Sequence, residues 1–268
     1  MKKVLLLTTI LASLAAQAQL KEGRIVYERT VQLPVRMFNA DPNIAAQLPK
    51  SRTEQFELLF ANNQSLWQYL PSASAEEGGS FSGNGVVFRF ATGTNDVTYC
   101  NFDKGTRIDQ REIMERNFVV LDSLRREEWK LTEETKTILT YTARKAIGKR
   151  ISTRMQISME NGEMKRQPVT DTSVVIAWFS TDIPVPVGPG AEMQGQLPGA
   201  VLEVDINNGQ TVIKAVEVSP KVNAGKIKEP KDGKKLTAAE FAKEREKLME
   251  EMRKNMPAGG ERRTIRMQ

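Results

Sequence analysis

The chain of 268 residues contains no histidine. Imidazole is the side chain that titrates near neutrality, so a Ser-His-Asp triad, a histidine-ligated zinc and histidine acid–base chemistry are all excluded. It contains one cysteine, Cys100. One chain therefore forms no internal disulfide and no thiolate cluster. Cys100 sits in the apolar, strand-like run 97–102, where burial is expected rather than a linked dimer. Apart from the N-terminus, no stretch approaches the roughly 20 apolar residues of a spanning helix. The regular Asp-x-Asn-x-Asp-Gly run of a calcium loop is absent too.

What is present begins with an export signal. Lys2 and Lys3 supply a basic start, residues 4–15 an apolar core too short to span a bilayer, and Ala16-Gln17-Ala18 a small-residue cleavage pattern. Cleavage after Ala18 is expected. No cysteine follows to carry a lipid anchor, so the mature chain is expected in the periplasm or outside the cell and not as a lipoprotein. Charge is uneven along it. From Ser219 onward there are 14 bases against 8 acids, a net of +6; residues 19–218 hold 23 bases against 25 acids, a net of −2. The basic pI belongs to the tail, which is solvated by default and able to touch anionic surfaces. Export argues against a nucleic-acid partner.

The body reads as strands punctuated by turns. Residues 23–31, 54–60, 66–70, 86–90, 96–102, 117–121, 135–143 and 151–159 carry alternating or β-branched patterns. Asn62-Asn63, Thr92 to Asn95, Asn161-Gly162 and Asn207-Asn208-Gly209 are hairpin turns between them. Residues 106–115 are ambiguous between strand and helix, residues 33–50 a loop with a helical turn near 43–47, and residues 71–85 a mobile surface loop. Successive hairpins imply a mainly β fold: one curved, half-barrel-like antiparallel sheet over 19–218. A basic flexible linker is expected over 219–236, a C-terminal amphipathic helix over 237–256 and a disordered tail over 257–268. Thr237 and Glu240 form a capping box, with Leu236 and Phe241 as its staple.

One stretch organises the rest. Residues 172–179 and 200–206 are apolar strands flanking a loop with Pro184, Pro186, Gly188, Pro189, Gly190, Gly195, Pro198 and Gly199. Prolines lack the N–H of a ladder and push their predecessors to extended geometry, so pairing stops near Asp182 and a stiff crossing follows. Leu197, Pro198 and Gly199 read as a structural corner, a type II turn with Gly199 at positive φ. The run AWFSTDIPVPVGP, followed by GQLPGAVLEVD, resembles the GLPGLI family of secreted proteins from Gram-negative bacteria. The resemblance extends upstream to Trp129, Lys136, Tyr141 and Lys145-Ala146. Gln196 replaces the first Gly of the family's name and Ala200-Val201 its Leu-Ile. Ala143 stands where the family usually carries a cysteine, so a role for that cysteine does not transfer. The family brings an expected address, secretion, and no activity.

Three constellations are weighed for chemistry. A curved sheet offers an apolar face that holds an apolar ligand unless its own side chains or the helix fill it. Met249, Met252 and Met256, with Met155, Met159 and Met164, are soft ligands suited to Cu(I) but equally gap-fillers of a core. Asp171, Asp182, Glu192, Glu203 and Asp205 flank the Pro/Gly loop as acid–base or cation candidates. Beside these, Arg144, Lys145, Lys149, Arg150 and Arg154 form a basic cluster. No cofactor, resident metal or catalytic residue is assigned. Binding of an apolar or lipidic ligand, or of an envelope partner such as an outer-membrane transporter, is expected before carboxylate-based catalysis.

Overall fold

A computed structural model describes residues 19–33, 50–71, 80–83, 86–90, 95–160, 163–254 and 266–267. The export signal, the helical turn near 43–47, the turns at 92–94 and 161–162 and the tail over 257–265 lie outside the described residues. In chain order the strands are β1 (Gly23–Gln32), β2 (Ser51–Ala61), β3 (Gln64–Tyr69), β4 (Ser80–Gly83), β5 (Val86–Phe90) and β6 (Val97–Asn101). They continue with β7 (Thr106–Ile113), β8 (Arg116–Ser123), β9 (Lys130–Ile138), β10 (Tyr141–Glu160) and β11 (Glu163–Ser180). The last are β12 (Ala200–Ile206), β13 (Thr211–Ser219), β14 (Lys234–Thr237) and β15 (Arg266–Met267), with one α-helix, α1 (Ala238–Lys254).

Turn chemistry sets this order. Asn62 and Asn63 sit at φ 52° and 54°. That left-handed pair matches the twist of the flanking strands, and Asn tolerates it. Asn207, Asn208 and Gly209 take positive φ in the same way between β12 and β13. The ambiguous residues 106–115 supply β7, because Met114 and Glu115 accept φ of 51° and 63° and close a hairpin with β8.

Twelve strands make one open sheet in the order β14-β8-β7-β6-β3-β2-β1-β13-β12-β11-β10-β9. It is a curved sheet that does not close into a barrel, antiparallel throughout except where β14 runs parallel to β8. β4 lies within the stretch expected to be a mobile loop, and it pairs with β5 in a separate three-stranded sheet.

Phe56, Leu58 and Phe60 share a buried cluster, as their spacing predicts, with Ile25, Tyr27 and Trp67. Alternate residues of β2 are buried as well. Leu59 and Ala61 pack with Leu66 and Tyr99 under Ile227, with Val222 beside it. This corrects the expected flexible linker: residues 219–236 end β13, form a 3-10 turn at Ala224–Lys226 and supply β14. A parallel pairing needs a long crossover, and two apolar anchors, Val222 and Ile227, hold this one to the sheet.

The helix starts as its capping box dictates. Glu240 accepts hydrogen bonds from the backbone N–H and the hydroxyl of Thr237, both at 2.8 Å, and the Glu240 N–H donates to Thr237 Oγ1 at 3.3 Å. These donors hold the Glu240 carboxyl below its ordinary pKa. α1 lies against the sheet through Leu248, which is buried, and Phe241, whose ring centroid is 5.6 Å from that of Phe118.

Candidate functional site

The Pro/Gly loop, residues 181–199, folds back into the core. The N–H of Ala200 donates to Ile183 O at 3.0 Å, that of Val201 to Val187 O at 2.9 Å, and that of Gly195 to Pro186 O at 2.7 Å. Its side chains join two clusters. Ile183, Val185 and Val187 pack with Tyr27, Leu58, Phe60 and Leu202, whereas Met193 and Leu197 pack with Val175, Phe179 and Val201. Polar groups inside are matched. The Tyr27 hydroxyl donates to Val201 O at 2.7 Å, and burial pushes its pKa up. Gln194, 1% exposed, accepts from Ser65 Oγ at 2.9 Å and donates to Gly188 O. The sheet face that composition offered to an apolar ligand is thus occupied by the chain's own loop.

The corner takes a different form from the one its sequence suggests. A type II turn needs positive φ at Gly199. Gly190 and Gly195 adopt positive φ, at 72° and 76°, and Gly199 does not. Gly199 is required for another reason: a Cβ there would lie 2.2 Å from Ser180 O. Leu197 is the buried anchor, 4% exposed. Pro198 is exposed and lines a cavity of about 340 Å³ beside Leu131, Phe179 and Asp182.

A larger cleft, of about 450 Å³, opens where β10 outruns β9. Trp129, Val175, Met193 and Ile206 form its apolar wall; Glu127, Lys149, Arg150 and Glu192 form its charged rim. The indole of Trp129 covers Gly148, where a Cβ would come within 2.9 Å of the ring. Gln196 fixes that segment to the loop. Its Oε1 accepts from the Glu127 N–H at 2.9 Å and from Trp129 Nε1 at 3.3 Å, and its Nε2 donates to Arg125 O at 2.5 Å. A glycine at position 196 offers none of these bonds. The sequence marks Gln196 only as a departure within a resemblance and does not mark Gly148, because the partners of both are distant along the chain.

The structure does not gather the five candidate carboxylates into one site. Glu192 pairs with Arg150 at 2.7 Å, Glu203 with Lys136 at 2.6 Å, and Asp205 accepts the Gly209 N–H at 2.6 Å within a turn. Asp182 lines the smaller cavity, and Asp171 lies on β11 in register with Ser152. Among the described residues no three His, Cys, Asp or Glu side chains are placed to hold a metal ion. The basic cluster is largely matched, Arg144 to Glu133 at 2.6 Å and Lys145 to Glu134 at 3.0 Å. Of the methionines, Met249 is 46% exposed on α1 and Met252 half-buried. Met256 and the side chains of Met155, Met159, Met164 and Arg154 fall outside what is described. Cys100 is buried, as expected, and burial with the nearby Asp109 carboxylate raises its thiol pKa to about 12.

Comparison with known proteins fits this geography. Residues 129–203 match the family described as a protein of unknown function, Porph_ging. The match covers under a third of the chain and runs from Trp129 through β9, β10, β11 and the Pro/Gly loop into β12, so it spans most of the cleft. No curated protein matches the chain. Two solved structures of PNGF-II, in different crystal forms, superpose with a TM-score of 0.50 at 17% and 16% identity. They cover 85% of this chain and 34% and 33% of theirs, so the chain spans about a third of PNGF-II's length. That likeness is one of fold. An uncharacterised conserved protein from Thermus thermophilus aligns over 80% of this chain and 90% of its own, with 9% identity and a TM-score of 0.33. No helix among the described residues is long and apolar enough to cross a membrane.

Proposed function

We propose that the chain is an exported binding protein of the bacterial cell envelope, and that another envelope protein engages it at the cleft beside Trp129. The observation that carries this reading is the contrast between two surfaces. The broad apolar face is filled by Ile183, Val185 and Val187, which leaves little room for a lipid. The Trp129 cleft stays open, with an apolar wall and a charged rim, the composition of a protein-binding surface rather than of a lipid cavity. Export is supported by the basic, apolar and small-residue pattern of residues 1–18.

A photo-reactive amino acid at Ile151, which is 72% exposed at the cleft, tests the reading in intact cells. A discrete cross-linked band is expected there, absent with the same group at Met249 and lost when Trp129→Ala is added. No band at Ile151, together with a small-molecule adduct in native mass spectrometry of the mature protein, would replace the protein partner with a small ligand.

A further inference from the structure

β9 pairs with β10 only from Tyr141 to Ile147. β11 continues alongside β10 as far as Glu160, so from Gly148 onward β10 has a partner on one side only among the described strands. A strand edge of this kind presents unpaired N–H and C=O groups and is a template for another strand. The large cleft lies on this edge. Lys149, Arg150, Ile151 and Ser152 all line it. Successive side chains of a strand point to opposite faces, so four consecutive residues line one cavity only where it runs along the strand's border.

We propose that the open edge of β10, beginning at Lys149, receives an extended acidic segment of the partner protein as an added strand in line with β9. The inference rests on the binding role proposed for the Trp129 cleft and specifies how that cleft is used. An added strand hydrogen-bonds through its backbone and places alternate side chains on the two faces. On one face they meet the wall of Trp129 and Met193. On the other they meet Ile151, which is 72% exposed.

Charge selects the occupant. From Gly148 to Thr153, β10 carries Lys149 and Arg150 and no acid. The cleft's rim also holds Glu127 and Glu192; Glu192 matches Arg150, which leaves Lys149, exposed and with no ion pair among the described residues, as the base on this strand for an acidic segment to meet. A second copy of the same edge would set like charges opposite each other, which disfavours pairing. An acidic strand complements them.

The test uses the mature protein and short synthetic strands. The probes are a seven-residue peptide alternating Glu and Val, its Lys–Val counterpart, and the Glu–Val peptide with alternate backbone amides methylated. Fluorescence anisotropy is expected to show saturable binding of the Glu–Val peptide, with at least tenfold weaker binding of the other two. Hydrogen exchange is expected to show protection of residues 148–153 on binding. Lys149→Glu, an exposed change, is expected to shift preference toward the Lys–Val peptide. Equal binding of all three peptides, no peptide binding, or a peptide-insensitive dimer of the free protein would each overturn strand addition. An unchanged preference in Lys149→Glu would do the same, leaving the bases as guards against edge-to-edge aggregation. A cross-link at Ile151 that survives any of these failures would keep the cleft reading and discard only the added strand; loss of both would remove the two together.

Discussion

Leu139 occupies the turn between β9 and β10 at φ 56°, a conformation its Cβ disfavours, and its side chain is 46% exposed. A left-handed conformation costs an ordinary residue roughly 1–2 kcal/mol, and Asn carries less of that strain. Leu139→Asn is therefore expected to stabilise the protein by about 0.5–1 kcal/mol in urea unfolding. Gly199 fails in the opposite direction. A methyl group 2.2 Å from Ser180 O forces the backbone apart, so Gly199→Ala is expected to cost at least about 1–3 kcal/mol, the usual range for overpacking. Cys100 gives a kinetic prediction. With its pKa raised to about 12, the thiol holds almost no thiolate near neutral pH, and a thiol-specific reagent should label it only on unfolding. Rapid native labelling would show that the strand carrying it opens.

At the scale of elements, α1 is fixed by a local signal at one end and by side-chain burial along its length. Thr237→Ala removes the cap and is expected to cost about 1 kcal/mol. Leu248→Ala, at a position 2% exposed, is expected to cost about 2–5 kcal/mol. If the second variant unfolds with wild-type stability, α1 does not pack on β8 in solution. The capping box, the turn asparagines and the alternation of β2 were all legible in the sequence, because each acts between residues a few positions apart. The crossover from β13 to β14 was not. Its composition is that of a linker, and its order comes from Val222 and Ile227 meeting β2, β3 and β6.

Across the whole molecule, adjacent strands are tied by polar groups. Arg24 on β1 donates to Glu57 on β2 at 2.7 Å and to Glu217 on β13 at 3.2 Å, and Gln68 on β3 donates to Glu57 at 2.6 Å. Burial acts to raise the Glu57 pKa, but the hydrogen bonds from Arg24 and Gln68 outweigh it and hold the group below its ordinary 4.5. The unfolded chain then binds a proton more readily than the folded one. The stabilisation is complete above pH 4.5 and is lost as pH falls through the lower folded pKa. Glu57→Gln is expected to flatten the dependence of stability on pH below 4.5 while leaving the slope near neutrality unchanged. An identical acid limb in the variant would assign the loss to other carboxylates.

The class of the molecule follows from local sequence: hairpin turns at Asn62-Asn63 and Asn207 to Gly209, alternating strands, one capped helix, a chemistry without histidine and an inert cysteine. Those properties arise from local sterics, period and residue type. The role of the Pro/Gly loop came from long-range packing instead. Its prolines announce that pairing stops, yet nothing local says that Ile183, Val185 and Val187 turn inward to fill the sheet, or that Gly199 is needed for its closeness to Ser180. The cleft was equally hidden, since it depends on where β9 ends beside β10 and on Trp129 resting on Gly148. Such contacts join residues far apart in the chain, and they are fixed by packing rather than by propensity.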